Sequence, residues 1–368
     1  MKNKVSTTTK DQALSLVSSI VSTMQKSCKS CQVLSSADLE KSKIKYHSTG
    51  VFQLDEIISN GKGMPKAKAI EVFGPESSGK THLLYAACRQ VQSEGRIAII
   101  GDIENRYSME YIVNEIGLNP ELLIIAKPHS VNEWLDDMLA QGYLNNPLVG
   151  IVGIDSIGAM VTDQEMDGEL VDANIGAQAK MVTRWINRAT KKQTHPDAPT
   201  IFVVNQLRDN VGAMYGADYK VPGGRVLKFL LSVRIKVRKV EFITNKENET
   251  IGQKVELKIV KNSVGVPDKD CEVHLIFGKG YSNAHFLRTK FFPKRKVFEF
   301  HLNEKDYKLN KEEFSNWLNK YPKKALALWN QLKSPSQKPE SSPSVVAEVS
   351  SELLLNTEEE EEEEKIPI

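Results

Sequence analysis

The chain has 368 residues, a length that predicts about two or three domains. Hydrophobic residues make up 40% and charged residues 26%, which is typical of soluble globular proteins with a large buried core. The net charge of +2 hides an asymmetry, because residues 334–368 carry −8 and residues 1–333 carry +10. A basic body with an acidic tail favours an anionic partner for which the tail could compete.

Two further features argue against a membrane or secreted protein. No apolar run reaches the ~18–20 residues that a membrane span requires, and no signal-peptide apolar region is found at the N-terminus. Four cysteines in a chain of this length do not form a disulfide framework. We therefore expect a cytoplasmic protein without a membrane partner.

The first segment in chain order, residues 1–45, is predicted to be a helical appendage. Leu14, Val17, Ile20 and Met24 recur there at helical spacing and form one apolar face. A single helix cannot bury such a face by itself. We therefore expect it to pack on the body or on another subunit and to serve oligomerisation.

Residues 46–285 are predicted to form an α/β core on a mainly parallel sheet, because buried apolar strands alternate with helical stretches. Segments joined only by turns follow, and we expect them to extend the sheet as antiparallel strands. The predicted strands are Ala69–Gly74, 96–102, 148–155 and Thr200–Gln206, the helices are 81–94 and Ala177–Lys192, and the antiparallel additions are 232–240, 254–261 and 271–277.

The C-terminal part divides into two segments of different composition. Residues 286–333 are rich in Lys, Phe and Trp and are predicted to form a small α+β domain. Residues 334–368 combine Ser and Pro with an unbroken glutamate run at 358–364, so they cannot bury enough apolar surface to fold. We expect this acidic tail to be disordered.

One motif predicts a nucleotide site. The sequence G-P-E-S-S-G-K-T fits the phosphate-binding pattern G-x-x-x-x-G-K-[ST], follows a predicted strand and opens a predicted helix. Backbone N–H groups of such a loop cradle phosphates, its lysine reaches the β- and γ-phosphates of ATP, and its threonine hydroxyl binds Mg²⁺. The motif consists of Gly74, Pro75, Glu76, Ser77, Ser78, Gly79, Lys80 and Thr81.

Polar residues at the ends of three other predicted strands complete this site. Asp155 ends an apolar strand and suits a carboxylate near Mg²⁺. Glu104 follows another strand and could deprotonate the attacking water, although a solvated acid at a strand end is an equally good interpretation of the residues alone. Gln206 ends the third strand with an amide that can sense the γ-phosphate without competing for the metal.

A long glycine-rich loop follows Gln206 and spans residues 207–225. Mobile glycines, cations for phosphate and apolar groups that can wedge between bases suit single-stranded nucleic acid. A substrate lid or a disordered segment is the alternative. The candidate DNA-binding residues are Arg208, Val211, Gly212, Met214, Tyr215, Lys220, Gly223, Gly224 and Arg225.

Taken together, these motifs make the chain similar to the RecA family of homologous-recombination ATPases, in the bacterial and phage arrangement. The similarity runs from about residue 46 to residue 285. The residues that carry it are Ser48-Thr49-Gly50, the G-P-E-S-S-G-K-T loop, Asp102 and Glu104, Ile154-Asp155-Ser156, Asn205-Gln206, Gly223-Gly224, Lys228-Phe229, Ser232-Val233-Arg234, Val260-Lys261-Asn262 and Phe277-Gly278-Lys279-Gly280.

For catalysis, the resemblance implies that Glu104 activates water and that Gln206 couples the γ-phosphate to the DNA-binding loop behind it. It also implies that Lys261 reaches ATP from the neighbouring subunit. The family has a second lysine two positions later, where this chain has Ser263.

For DNA and subunit contacts, the resemblance implies two DNA-binding loops, residues 160–175 and 207–225, with Lys180 just beyond the first. It implies an adenine contact at Phe277, for which a core phenylalanine is the alternative, and at Tyr111 if the register after Glu104 holds. The residues expected at the subunit interface are Lys228, Phe229 and Arg234.

The function that the sequence predicts is an ATP- and Mg²⁺-dependent recombinase that forms filaments on single-stranded DNA and pairs that strand with homologous duplex DNA. Loader or single-strand-binding proteins are further expected partners. Two alternatives stay open from the sequence. One is a ring-forming helicase or motor of the same superfamily, and the other is a DNA-binding accessory protein that does not hydrolyse ATP.

Overall fold

The fold is organised around one nine-stranded sheet. The computed structural model describes residues 7–27, 43–106, 108–128, 130, 133–134, 138, 142–159, 177–209, 219–220 and 224–333. In chain order the strands of the sheet are β1 (Ala69–Gly74), β2 (Ile97–Asp102), β3 (Leu123–Ala126), β4 (Val149–Asp155), β5 (Thr200–Gln206), β6 (Val233–Thr244), β7 (Thr250–Asn262), β8 (Asp270–Ile276) and β9 (Gly280–Ser282).

The order across the sheet is β9-β8-β7-β6-β1-β5-β4-β2-β3. Pairing is parallel from β6 to β3 and antiparallel from β6 to β9. The expected α/β class and mainly parallel core are therefore confirmed. The segment 232–240 was expected as an antiparallel addition, and β6 does pair antiparallel with β7, but it also pairs in parallel with β1, from Val233 opposite Ile70 to Lys236 opposite Phe73. Strands β3 and β9 were not predicted.

Helices cover the sheet and connect its strands. They are α1 (Thr7–Met24), α2 (Phe52–Ser59), α3 (Lys80–Ser93), α4 (Ala177–Lys192), α5 (Gly224–Leu230), α6 (Ala284–Phe291), α7 (Lys311–Lys320) and α8 (Pro322–Lys333). Short ribbons pair Tyr46–His47 with Met64–Pro65, Arg208–Asp209 with Tyr219–Lys220, and Phe298–Leu302 with Lys305–Leu309. Single helical turns lie at Tyr111–Glu115, Pro120–Leu122, Tyr143–Asn145 and Ile157–Ala159.

Helix α3 packs close against β4, and this contact brings the phosphate-binding motif next to Asp155. Leu84 and Val91 of the helix are buried. A Cβ at Gly153 of β4 would lie 2.6 Å from Leu84 Cδ1, so only glycine allows this approach. The buried apolar surface of the helix and the strand stabilises the arrangement.

Residues 284–333 build a second apolar cluster from α6, a two-stranded ribbon, α7 and α8. Phe298 and Phe314 stack at its centre with ring centroids 4.8 Å apart. The cluster also includes Phe52 of α2, which stacks on Trp329 at 5.6 Å. The small α+β domain at 286–333 stays a prediction, and its contact with α2 ties it to the core.

Helix α1 carries the apolar face that its sequence predicted, and that face is exposed in the single chain. Leu14, Val17, Ile20 and Met24 are 55%, 39%, 47% and 49% exposed. The role of α1 in oligomerisation stays a prediction. Within the described part of the chain, no helix has both the length and the apolar character needed to cross a membrane.

Candidate active site

The phosphate-binding loop connects the end of β1 to the start of α3. Gly79 has φ +100°, and the helix begins at the next residue, so its free N–H groups face the loop. Lys80 is only 7% exposed, and its Nζ donates to the Pro75 carbonyl at 2.5 Å. Burial lowers the pKa of Lys80, while Asp155, Glu104 and Glu76 act in the opposite direction.

Two residues of the antiparallel extension hold this loop from the side. Gln253 donates from Nε2 to the Ser77 carbonyl at 3.1 Å, and Tyr281 donates from its hydroxyl to the Gly79 carbonyl at 3.2 Å. A Cβ at Gly79 would lie 2.5 Å from the Tyr281 oxygen. Sequence reasoning missed both supports, because neither belongs to a motif and each meets the loop only through the sheet register.

Thr81 and Asp155, the predicted magnesium ligands, are hydrogen-bonded to each other. The Thr81 hydroxyl donates to Asp155 Oδ2 at 2.6 Å, and the carboxylate is 6% exposed. Hydroxyl and carboxylate oxygens are ligands that Mg²⁺ accepts. Among the described residues no group of three His, Cys, Asp or Glu side chains could bind a metal alone. The residues present therefore fit a magnesium ion that takes its other ligands from phosphates and water.

Glu104 lies at the centre of a hydrogen-bonded group at the same edge of the sheet. Its Oε1 accepts from the Ser156 hydroxyl at 2.5 Å and from the Gln206 amide. Its Oε2 pairs with Arg106 Nη1 at 3.0 Å, and that nitrogen lies 3.7 Å from Glu76 Oε1. The Glu104 side chain is only 12% exposed. This geometry disfavours the alternative of a solvated acid at a strand end.

Comparison with known proteins places this site in a family. A family model described as the RecA N-terminal domain matches residues 15–282. The Protein RecA of Chloroherpeton thalassium is 33% identical over 273 residues, which cover 74% of this chain and 75% of that protein. Its Mesomycoplasma hyopneumoniae (strain 7448) counterpart is 35% identical over 237 residues, covering 64% and 68%. The Protein RecA of Staphylococcus aureus (strain JH9) is 33% identical over 263 residues, covering 72% and 74%.

The chain belongs to the RecA family. This family consists of P-loop ATPases of DNA recombination and repair. The resemblance that the motifs predicted is therefore confirmed at the level of the family.

The two predicted adenine contacts, Phe277 and Tyr111, line two neighbouring clefts beside the loop. Phe277 lines a cleft of about 470 Å³ with the phosphate-binding loop and is 47% exposed, which excludes the alternative of a core phenylalanine. The Tyr111 hydroxyl accepts from the Gly278 backbone N–H and lies 2.9 Å from His82 Nε2. Burial lowers the pKa of His82 to about 4, so this histidine is neutral at physiological pH.

Lys261 does not line the cleft beside the phosphate-binding loop of its own chain. Its Nζ donates to the carbonyls of Lys228 and Phe229, at 2.8 and 2.9 Å, at the end of α5. Phe229 is 79% exposed and presents a large apolar side chain beside it. This placement is compatible with a role at a subunit contact.

Arg234 differs from the expected interface position. Its guanidinium is buried, pairs with Glu71 Oε2 at 2.6 Å and lies 4.7 Å from the centre of the Phe73 ring. Asn205 donates to the other Glu71 oxygen at 2.9 Å. Arg234 therefore joins β6 to β1 inside the chain, where only 10% of its side chain is exposed, and its place at a subunit interface stays a prediction.

The predicted DNA-binding residues fall largely outside the described residues. Residues 160–175, with Val211, Gly212, Met214, Tyr215 and Gly223, belong to this group. Arg208 and Lys220 pair through their backbones, so both ends of the glycine-rich segment meet behind Gln206. Gly224 starts α5, with Arg225 next to it, and Lys180 is exposed on α4.

Proposed function

We propose that this RecA-family protein is an ATP-dependent recombinase, which assembles on single-stranded DNA and exchanges that strand with homologous duplex DNA. The hydrogen bond between Gln206 and Glu104 is the observation that carries the proposal. It joins the water-activating carboxylate to the residue that directly precedes the glycine-rich segment. Binding of DNA to that segment can therefore change the position of the catalytic base, and hydrolysis can release the DNA.

In this proposal the side chains divide the chemistry of hydrolysis among them. Glu104 accepts a proton from water as the water oxygen bonds to the terminal phosphorus, and the bond to the β–γ bridging oxygen breaks to give ADP and phosphate. Lys80 and the N-terminus of α3 stabilise the phosphate charge. Mg²⁺, held by Thr81 and Asp155, would supply further positive charge when bound.

A strand-exchange assay tests the function directly. Purified full-length protein is incubated with circular single-stranded DNA, homologous linear duplex and Mg²⁺, with ATP, with ADP or without nucleotide. We expect joint molecules and then exchanged products only with ATP. A heterologous duplex is the control. ATP hydrolysis that DNA stimulates without any joint molecules would favour the motor alternative, and electron microscopy would then show rings instead of filaments.

The proposed filament places ATP between subunits and predicts complementation between two inactive variants. Lys261→Ala protein keeps an intact phosphate-binding loop, and Lys80→Ala protein keeps an intact Lys261. We expect mixtures of the two to recover part of the DNA-stimulated ATPase activity, because some interfaces then contain both intact halves. Release of phosphate over a range of mixing ratios measures the recovery.

The matched control for this mixture is the double variant Lys80→Ala/Lys261→Ala, which cannot complement Lys261→Ala because neither protein offers an intact Lys261. If the two single variants together hydrolyse no more ATP than each does alone, the composite site is wrong.

The acidic tail is proposed to compete with duplex DNA for a basic surface. The sequence suggests the segment around residues 290–296 as this surface. In the structure its basic residues differ in whether they are paired within the chain. Lys290 pairs with Glu56 at 3.2 Å and lies 5.3 Å from the centre of the Trp329 ring. Lys294, Arg295 and Lys296 are exposed on the turn after α6 and are the better candidates for phosphate contacts.

Deleting residues 334–368 is expected to strengthen duplex binding by roughly 10-fold at low salt, because a tethered polyanion competes for the same cations. The gain should shrink as salt and Mg²⁺ rise, since added ions screen the tail. Duplex titrations at several salt concentrations measure it. A full-length variant with glutamine at positions 358–364 is the matched control and should reproduce most of the gain. Equal affinities of all three proteins at every salt concentration would leave only a solubilising tail.

We also propose that the protein acts in the cytoplasm and that loader proteins and single-strand-binding proteins are its partners. They follow from the proposed role on DNA.

A further inference from the structure

Arg106 occupies a position between the two halves of the ATP site. Its backbone N–H donates to Asp102 Oδ1 at 3.2 Å, which fixes the chain just after β2. Its Nη1 lies 3.0 Å from Glu104 Oε2 and 3.7 Å from Glu76 Oε1. Glu76 belongs to the phosphate-binding loop and Glu104 is the proposed base. The guanidinium therefore bridges the loop and the group that activates water.

The same side chain lines both clefts of the site. One cleft, of about 470 Å³, contains the phosphate-binding loop with Lys80, and the other, of about 460 Å³, contains Glu104 and Asp155. Lys80 would hold the terminal phosphate from one cleft, and Glu104 would activate the attacking water from the other. The phosphate must therefore lie where the two clefts meet. The Arg106 side chain is 63% exposed, so guanidinium surface is open to a ligand there.

Three carboxylates lie around that point, so a phosphate there needs cations beside it. Glu76, Glu104 and Asp155 are all close, and each repels a phosphate. Among the described lysines and arginines, Lys80 and Lys239 line the first cleft only, and Arg106 alone lines both. Arginine suits the remaining position, because its guanidinium stays charged at any physiological pH and its planar donors match phosphate oxygens.

We propose that Arg106 is a catalytic residue that contacts the γ-phosphate of ATP bound to its own subunit. The assignment rests on the proposed hydrolysis of ATP at this site. As water adds to the terminal phosphorus and the bond to the bridging oxygen breaks, negative charge grows on the phosphate oxygens, and the guanidinium stabilises it. Its ion pairs with Glu76 and Glu104 hold the guanidinium at this position.

Nucleotide binding without hydrolysis provides the decisive test. The affinities of full-length protein for ADP and for the non-hydrolysable analogue AMP-PNP are measured by calorimetry with Mg²⁺ and without DNA. Arg106→Ala should weaken AMP-PNP binding about 10-fold, the typical effect of losing a charged hydrogen bond, and leave ADP binding within about 2-fold. Arg106→Lys should recover part of the loss. Arg188→Ala removes an exposed arginine from α4 and should change neither affinity.

The ATPase rate gives a second, separate readout. DNA-stimulated turnover of Arg106→Ala should fall by ~10²-fold or more, since an arginine that acts on the transferring phosphate is worth at least that much. Arg106→Gln keeps a polar hydrogen-bonding side chain, although a shorter one, without the charge and should show the same loss.

Three results would overturn the proposal: equal AMP-PNP affinities of parental and Arg106→Ala protein, an equal loss of ADP affinity, or turnover of Arg106→Ala at or above the parental rate. The last would mean that Arg106 only restrains Glu104. Failure of the proposed function looks different. Parental protein would then neither hydrolyse ATP with DNA nor exchange strands, while the loss of AMP-PNP affinity in Arg106→Ala would still support the phosphate contact.

Discussion

Replacing Lys80 with alanine is expected to abolish ATP hydrolysis and, with it, strand exchange. The lysine is 7% exposed, and its Nζ already lies within the loop, 2.5 Å from the Pro75 carbonyl. Among the described residues of the loop, no other side chain brings a positive charge to the β- and γ-phosphates. A preorganised charge in a water-poor site is worth much more than the same charge in solution.

We expect turnover of Lys80→Ala to fall by ~10³-fold or more, measured as phosphate release in the presence of single-stranded DNA. Lys191→Ala, which removes an exposed lysine from α4, is the matched control and should keep the parental rate. Circular dichroism and thermal unfolding should show that Lys80→Ala is folded. A folded variant that still hydrolyses ATP within a few-fold of the parental rate would contradict the assignment.

Replacing Glu104 with glutamine is expected to separate nucleotide binding from hydrolysis. An amide keeps the shape of the side chain and can still accept from Ser156 and Gln206, but it cannot take a proton from water. We expect ATP turnover to fall by ~10²-fold or more, which is the usual contribution of a positioned general base to the rate. ATP binding should be largely retained. Filament assembly on single-stranded DNA should also persist, and electron microscopy with ATP would measure it.

The Glu104→Ala variant should lose turnover to a similar extent, because it also lacks the base. Glu121→Gln is the matched control, since Glu121 is exposed in the turn at Pro120–Leu122. Parental rates in both Glu104 variants would mean that another group activates water. Asp102 would then be the first residue to replace, because it ends β2 and lines the same cleft.

Local sequence was sufficient for the elements that contain the site. The phosphate-binding motif depends on residues that follow one another in the chain, and the strand and helix on either side of it are where the sequence predicted them. Strands β1, β4 and β5 were recognisable because both their faces are buried, which makes them continuous apolar runs. Asp155 and Gln206 were found as the polar residues that end two such runs.

Which of these residues touch one another was decided by the tertiary structure. Glu104 and Gln206 are 102 residues apart, and they meet because β2, β4, β1 and β5 end at one edge, where Asp102 pairs with Asp155 and Gly74 with Gln206. No local pattern contains that register. The same reason explains why the support of the loop by Gln253 and Tyr281 was missed.

Arg234 and Arg106 illustrate the same limit for charged side chains. The family resemblance placed Arg234 at a subunit interface, and no motif in the sequence included Arg106. The fold buries Arg234 against Glu71 and places Arg106 between Glu76 and Glu104. The sequence by itself thus determined the chemical groups of the proposed ATP site and the order along the chain of the strands that carry them. Only the packing of those strands decided which charges face the phosphate, because burial and ion pairing depend on neighbours that are distant in the chain.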